Sequence, residues 1–131
     1  MKRTAINPWK WSLKLGYNQA EIVEGVKREL NCAGQTSVNA DGLPQHPYDM
    51  RGRMALVLHN LEAVLGDAEM SFANITKLNI YVTDIDEAII YFDLFGSRFG
   101  PLDARPPMTL LGVTSLAMSD LMIEIQATAV D

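Results

Sequence analysis

Residues 77–84 read KLNIYVTD, and this stretch decides the fold. Leu78, Ile80 and Val82 alternate with polar or aromatic side chains, and a period of two with β-branched residues is typical of a strand. One face of such a strand is apolar and the other is mixed. The pattern therefore predicts a sheet that is covered on one side, and the flanking sequence indicates what covers it.

A helix is predicted on each side of this strand. The first covers residues 49–65 and is followed by Gly66, a residue type that commonly stops helices. The second covers residues 87–99 and begins after Asp84 or Asp86, either of which can accept a hydrogen bond from the first turn. The apolar side chains of the first helix recur at helical spacing and share one face: Met54, Leu58, Leu61 and Leu65.

Further strands are predicted nearer the two ends of the chain. Residues 121–130 alternate between apolar and polar side chains, and residues 108–113 and 29–35 also fit strands. This order of elements predicts an α+β fold, a single mixed sheet with two helices packed on one face. The other face would carry Tyr81 and Glu124, and such a mixed surface suits an interface between chains.

Composition places further limits on the chain. Its 131 residues fit one domain, residues 1–131, and 48% hydrophobic with 21% charged residues is ordinary globular composition. The net charge of -5 argues against nucleic-acid binding. The single cysteine, Cys32, allows no intramolecular disulfide and is predicted to be a buried, inert thiol. No secretory signal and no membrane-spanning run is visible, so a cytoplasmic location and no membrane partner are expected.

Familiar site signatures are missing from the sequence. No glycine pattern matches a phosphate-binding or dinucleotide-binding loop. His46 and His59 have no cysteine or acidic partner at metal-ligand spacing, so no metal site is predicted.

Arg105 is the first candidate site residue. It stands in ARPPMT, where two prolines fix the backbone directly after it. A guanidinium on a stiff backbone suits a clamp for a carboxylate, because the planar fork can donate two parallel hydrogen bonds. The alternative is a surface arginine beside a proline-rich turn, and the pattern alone leaves both interpretations open.

Glu124 is the second candidate. It lies within a predicted strand that is otherwise rich in isoleucine and alanine. A carboxylate there must be paired, lie at an interface or take part in chemistry, unless it simply faces solvent.

Six segments of the chain form an ordered set: GYNQA at 16–20, CAGQ at 32–35, NL at 60–61, NIYVTD at 79–84, RP at 105–106 and IEIQATA at 123–129. In order and spacing, this set resembles the RidA/YjgF reactive-intermediate deaminase family. The resemblance covers the chain from about Gly16 to its end. It implies an α+β fold of the trimeric chorismate-mutase type, with homotrimers that hold three clefts between subunits.

The resemblance also implies an activity and a set of site residues. Active members hydrolyse imines or enamines to 2-oxo acids and ammonia, and they use no metal or organic cofactor. Arg105 is expected to bind the carboxylate of a small metabolite, Glu124 to help place a water, and Tyr17 to line the cleft. Three further positions are expected at the substrate: Ala33, Gly34 and Pro107.

Two of these positions depart from the family pattern. Ala33 stands where the family often has serine, so one hydroxyl is missing from the cleft. Pro107 falls where the best-studied type offers a backbone N–H, and proline has none. A deaminase of a larger enamine acid, of the aminomuconate type, and a carboxylate-binding regulatory trimer without turnover therefore remain as alternatives.

Overall fold

The structure is a computed structural model that describes residues 1–131. It contains seven strands and three helices, with short 3-10 turns at Trp11–Leu15, Phe72–Asn74 and Gly100–Leu102. The strands are β1 (Lys2–Ile6), β2 (Ala20–Glu24), β3 (Glu29–Asn31), β4 (Gln35–Thr36), β5 (Ile75–Val82), β6 (Met108–Gly112) and β7 (Ile123–Val130). The helices are α1 (Met50–Asp67), α2 (Ile85–Ile90) and α3 (Asp93–Phe99).

Strand β7 organises the main sheet. It pairs antiparallel with β5 on one side and with both β3 and β4 on the other, and β6 extends the sheet by pairing parallel to β5. One parallel pair among antiparallel pairs makes the sheet mixed, as predicted. The sheet order β3-β7-β5-β6 places β5 and β7, the two longest strands, next to each other.

The core lies between this sheet and α1. The apolar stripe of α1 is fully buried, and so are the alternate residues of β5 and β7 that face it. Twenty buried residues form one continuous cluster, which Phe95 and Phe99 of α3 extend at one end. Phe99 meets Phe72 edge to face at 5.2 Å between ring centroids, a favourable aromatic geometry.

The ends of α1 differ slightly from the prediction. Asp49 caps the helix, because its carboxylate accepts a hydrogen bond from the Gly52 amide at 2.9 Å. The helix continues through Gly66 and ends at Asp67, so Gly66 is not the stop. Glu69 takes the left-handed conformation (φ 60°) just beyond the helix instead, and the Met70 amide donates to the Leu65 carbonyl at 2.8 Å.

The second predicted helix is two helices, α2 and α3. Asp84 caps α2 by accepting from the Glu87 amide at 3.0 Å, which selects it over Asp86. The break falls at Tyr91, whose amide donates three residues back, to Ala88, at 3.1 Å. The apolar pattern runs through this break without interruption, so periodicity alone predicted one helix.

An N-terminal hairpin was absent from the sequence prediction. Strands β1 and β2 pair antiparallel, from Lys2 opposite Glu24 to Ile6 opposite Ala20, as a separate two-stranded sheet. Arg3 ties this hairpin to the domain by pairing with Glu21 and donating to the carbonyl of Ile75 at 2.7 Å. The sequence signal was weak because charged residues interrupt both strands.

Four smaller features concern one strand, two side chains and the helices. The strand predicted over residues 29–35 is interrupted, since β3 and β4 pair with β7 on either side of a short gap. Arg53, which helical spacing places among the polar positions of α1, is only 3% exposed and donates to the His46 carbonyl at 2.7 Å. Cys32 is buried as predicted, and burial raises the pKa of its thiol. None of the helices has the length and apolar character needed to span a membrane.

We expect Arg3→Ala to loosen the hairpin. The change removes the donor to Ile75 and leaves the Glu21 carboxylate, only 6% exposed, without its partner. The expected cost is roughly 2–4 kcal/mol of unfolding free energy, measured by urea denaturation. Lys2→Ala is the control, because its ion pair with Glu24 is highly exposed and should be worth about 0.5 kcal/mol or less. Equal effects of the two changes would contradict the tethering role of Arg3.

Candidate functional site

A cavity of about 840 Å³ lies beside α3 and β6. The loop around Tyr17 forms one wall, and Arg105 lies in the segment that leads into β6. Most of the remaining lining is aromatic or aliphatic: Ile89, Phe92, Phe95, Phe99, Met108 and Leu110. The cavity therefore combines one guanidinium with a mainly apolar interior, a common composition for a small-molecule site.

Hydrogen bonds fix the backbone at Arg105 and two residues after it. The Arg105 carbonyl accepts from the Asn18 amide at 2.9 Å, and the Pro107 carbonyl accepts from the Leu78 amide of β5 at 3.1 Å. Pro106 between them is buried. The guanidinium thus projects from a segment held by β5 and by the loop that carries Tyr17. Arg105 and Tyr17 therefore line the same cavity.

Asp103 is a site residue that sequence reasoning missed. Its carboxylate lies 3.0 Å from Nη1 of Arg105, and it has a left-handed backbone conformation with φ 48°. The side chain of Asp103 is 84% exposed and that of Arg105 is 46% exposed, so solvent screens the pair. An anion that binds Arg105 must share the guanidinium with Asp103 or displace it. The sequence signal for this ion pair was the separation of Asp103 and Arg105 by a single residue.

Tyr17 has an aromatic neighbour on the preceding 3-10 turn. Its ring meets Trp11 edge on, with 6.1 Å between centroids and an interplanar angle of 86°. Tyr17 lines the cavity, whereas Trp11 lies outside the lining and is 55% exposed. Packing against an indole restricts the tyrosine ring without filling the cavity.

Glu124 lies on the opposite face of the sheet from the core. It stands in the middle of β7, directly between Thr36 of β4 and Tyr81 of β5. A Cβ atom on Gly34 would come within 2.6 Å of the Glu124 carboxylate, so the missing side chain of Gly34 is what makes room for it. Ala33 is exposed beside Gly34. Gly34 and Glu124 are therefore brought together as well.

The two groups of residues do not meet within one chain. Met108, three residues after Arg105, pairs with Leu78 of β5. Glu124 lies on β7, two strands away from β6, and pairs with Tyr81, three residues further along β5 than Leu78. Strand geometry then separates Arg105 from Glu124 by roughly 15–20 Å. The cavity half can bind a carboxylate beside an apolar group, and the sheet-face half can offer a carboxylate base.

Metal-ligating side chains are scattered over the molecule. No group of three or more histidine, cysteine, aspartate or glutamate side chains could hold a metal ion. His46 comes nearest to a carboxylate, with its Nδ1 atom 4.0 Å from Asp49.

Comparison with known proteins identifies the family. The family profile described as Endoribonuclease L-PSP matches residues 13–131. The chain belongs to the RidA/YjgF family. Members of this family share the observed α+β architecture of the chorismate-mutase type, so the predicted fold is confirmed.

Individual Rid-family relatives cover most or all of the chain. A Rid-family protein of unknown function from Yersinia pestis, YyfB, has 31% identity and a TM-score of 0.88 over 99% of both chains. The mitochondrial protein mmf2 of Schizosaccharomyces pombe is 29% identical over the full length of both. Escherichia coli TdcF, solved with bound serine, is 25% identical with a TM-score of 0.71, covering 88% of this chain and 87% of its own.

We expect Gly34→Ala in this Rid-family chain to displace Glu124 while preserving the fold. Gly34 does not have the left-handed conformation, so its role is to provide space. The atoms that the new methyl group meets belong to a flexible side chain, so the stability cost should stay within about 1 kcal/mol. A crystal structure should show the Glu124 carboxylate moved, and thermal unfolding should give the cost.

Gly66→Ala serves as the control for this change. Gly66 is exposed on α1 and a Cβ there meets nothing within 4 Å, so Glu124 should stay in place. An unmoved Glu124 in Gly34→Ala would contradict the close contact described above.

Proposed function

We propose that this Rid-family chain hydrolyses 2-imino acids, or their enamine tautomers, to 2-oxo acids and ammonia in clefts between the subunits of a homotrimer. The observation that carries the proposal is the division of the site. Arg105 and Tyr17 lie at the cavity, whereas Glu124 lies over Gly34 on the uncovered sheet face. Residues 1–131 would act as one domain that supplies one half to each of two clefts.

The uncovered sheet face supports this assembly. Tyr81 and Glu124 are half-buried there, and Leu111, opposite Tyr81 on β6, is 49% exposed. A face that mixes an aliphatic, a phenol and a carboxylate is poorly suited to water alone and suits contact with another chain. A neighbouring copy that packs on this face would bring its own Arg105 toward Glu124.

The reaction needs positioning more than strong activation. Arg105 would hold the substrate carboxylate with two parallel hydrogen bonds, and this fixes where C2 of the imine lies. A water attacks C2 of the protonated imine while Glu124 accepts the proton of that water. Glu124 returns this proton to the nitrogen of the resulting carbinolamine. It then accepts the proton of the carbinolamine hydroxyl as the C–N bond breaks, so that ammonia leaves and the C=O bond of the 2-oxo acid forms.

Ala33 and Pro107 shape what the protein can offer the substrate. With alanine at 33, no hydroxyl is available beside Gly34, so Glu124 would hold the water with help from backbone groups. Pro107 has no N–H, and its carbonyl is bonded to Leu78, so it would support Arg105 by fixing the backbone. The substrate carboxylate would then depend mainly on the guanidinium.

A regulatory trimer that binds small carboxylates without turnover is the second candidate function. TdcF binds serine, a small amino acid, and this favours a binding role for a related chain. The two candidates share Arg105 as the anchor and differ in whether Glu124 matters for turnover.

We expect Arg105→Ala to abolish imine hydrolysis and to weaken 2-oxo-acid binding by orders of magnitude. A charge-assisted hydrogen bond contributes roughly 1.5–3 kcal/mol, and two would be lost. Arg105→Lys should be nearly as defective, because an ammonium keeps the charge without the fork. Hydrolysis rate, calorimetric affinity and mass by light scattering are measured on each variant, and the mass should correspond to three chains.

Asp103→Asn is the matched variant, and it is expected to strengthen carboxylate binding where Arg105→Ala weakens it. It removes the carboxylate that competes for Arg105, so binding should tighten by a few-fold. Normal activity in Arg105→Lys, with no change in Asp103→Asn, would reduce Arg105 to a surface residue beside a turn.

A further inference from the structure

We propose that a small inorganic anion, of the size of chloride, binds at the start of α1 between Arg53 and Ser37. The site is separate from the cavity beside Arg105, because neither residue belongs to the lining of that cavity. It does not depend on the proposed function. The proposal rests on a buried guanidinium without a carboxylate partner, at a helix end that favours negative charge.

Arg53 is a buried cation without a counter-charge. The residue is 3% exposed, and its Nε atom donates to the His46 carbonyl at 2.7 Å. Its Nη1 atom is buried and has no hydrogen-bond partner. Every other arginine of the chain forms an ion pair with an aspartate or a glutamate, although all of them are more exposed than Arg53. The arginine that most needs a negative partner is therefore the one that lacks it.

The position of Arg53 in α1 adds to this imbalance. The N-terminus of an 18-residue helix carries a partial positive charge, and no acidic residue lies in the first turn. Asp49 caps the helix, but its carboxylate accepts from the Gly52 amide and is 55% exposed. A guanidinium stays protonated at neutral pH, so it cannot escape the cost of burial by losing its proton. A negative ion beside Nη1 would offset both unfavourable terms.

Ser37 supplies a second unsatisfied group at the same place. Its hydroxyl is fully buried and has no hydrogen-bond partner. Its carbonyl accepts from the Gln45 amide at 2.9 Å, and the next residue, His46, is the one that Arg53 contacts. Asn60, about two turns further along α1, donates to the carbonyls on both sides of Ser37 at 2.9 and 3.0 Å. A hydroxyl and a guanidinium both donate hydrogen bonds, so one anion between them would satisfy both.

The burial of these two groups sets the size of the ion. With Arg53 3% exposed and Ser37 0% exposed, there is no surface on which a phosphate or the carboxylate of another protein could dock. A monatomic anion needs space close to that of one water molecule and can enter through local opening of the loop. The ligand class is therefore a halide, and chloride is the common one.

The bound ion would hold a loop that is costly to form. The loop of residues 37–49 joins β4 to α1, and both His46 and Tyr48 have left-handed backbone conformations, with φ 56° and 58°. Such conformations are uncommon for residues other than glycine. The loop begins directly after Thr36, which pairs with Glu124 across the sheet. An ion between the loop and α1 would therefore also fix the end of the strand beside Glu124.

Thermal unfolding tests the site with chloride as the probe. Potassium gluconate is replaced stepwise by potassium chloride at constant ionic strength, so that general screening of charges does not change. At about twenty times its Kd, a bound ion raises the folded-to-unfolded ratio about twentyfold, which is a rise on the order of 5 °C in Tm for a domain of this size. The native protein should show a rise of this size that saturates with chloride.

Three variants locate the response. Arg53→Met keeps a long, unbranched side chain on the buried face of α1 without the charge, and it should abolish the chloride-dependent rise whatever its Tm in gluconate. Ser37→Ala should reduce the rise by about half or more. Arg51→Met is the matched control, because Arg51 lies in the same turn but is 53% exposed and pairs with Asp93. This control should respond to chloride as the native protein does.

Crystals of the native protein grown in potassium bromide give a second readout, which holds even if Arg53→Met fails to fold. Bromide should give an anomalous peak within about 3.5 Å of both Nη1 of Arg53 and Oγ of Ser37. A water at this position without anomalous signal would overturn the proposal. So would a native Tm that does not respond to chloride, or a response that Arg53→Met and Arg51→Met retain equally.

Discussion

The burial of α1 against one face of the β5–β7 pair is the interaction on which the rest of the structure depends. Alternation in both strands sends every second side chain into this contact, where residues such as Leu61 and Ile125 are fully buried. The same alternation must send the intervening residues to the opposite face. Tyr81 and Glu124 lie half-buried on that face because Ile80 and Ile125 are buried on this one.

This constraint divides the candidate site. Arg105 precedes β6 and borders the helix-side cavity, whereas Glu124 lies on the face that no helix covers. A one-residue slip in register would exchange the faces and destroy the core, so neither side chain can migrate toward the other within a chain. In the proposed reaction, which uses both groups, Arg105 and Glu124 would come from different copies, so loss of assembly would also abolish activity.

Apolar periodicity in a sequence reveals only helices and strands that bury one face, and it predicted elements of that kind. Helix α1 and strands β5, β6 and β7 were predicted on that basis. The hairpin was missed, because Arg3 holds it by polar contacts that leave no apolar pattern in β1 or β2. The break at Tyr91 was missed because apolar spacing continues across it.

In the site too, the sequence indicated local backbone features but not the contacts between distant residues. The prolines after Arg105 correctly indicated a fixed backbone, since Pro107 is bonded to β5. The contact between Gly34 and Glu124 has no signature of its own in the chain. The ion pair of Asp103 with Arg105, and the cavity beside it, depend on tertiary placement that no local pattern encodes.

Complementation between two inactive variants tests the shared site most directly. Arg105→Ala and Glu124→Gln chains are unfolded together in equal amounts, refolded, and assayed for imine hydrolysis beside each variant refolded alone. If each cleft takes Arg105 from one chain and Glu124 from its neighbour, random assembly should restore activity at about one quarter of the clefts. If both residues act within one chain, every cleft keeps one defect, and activity no higher than that of the separate variants would contradict the account.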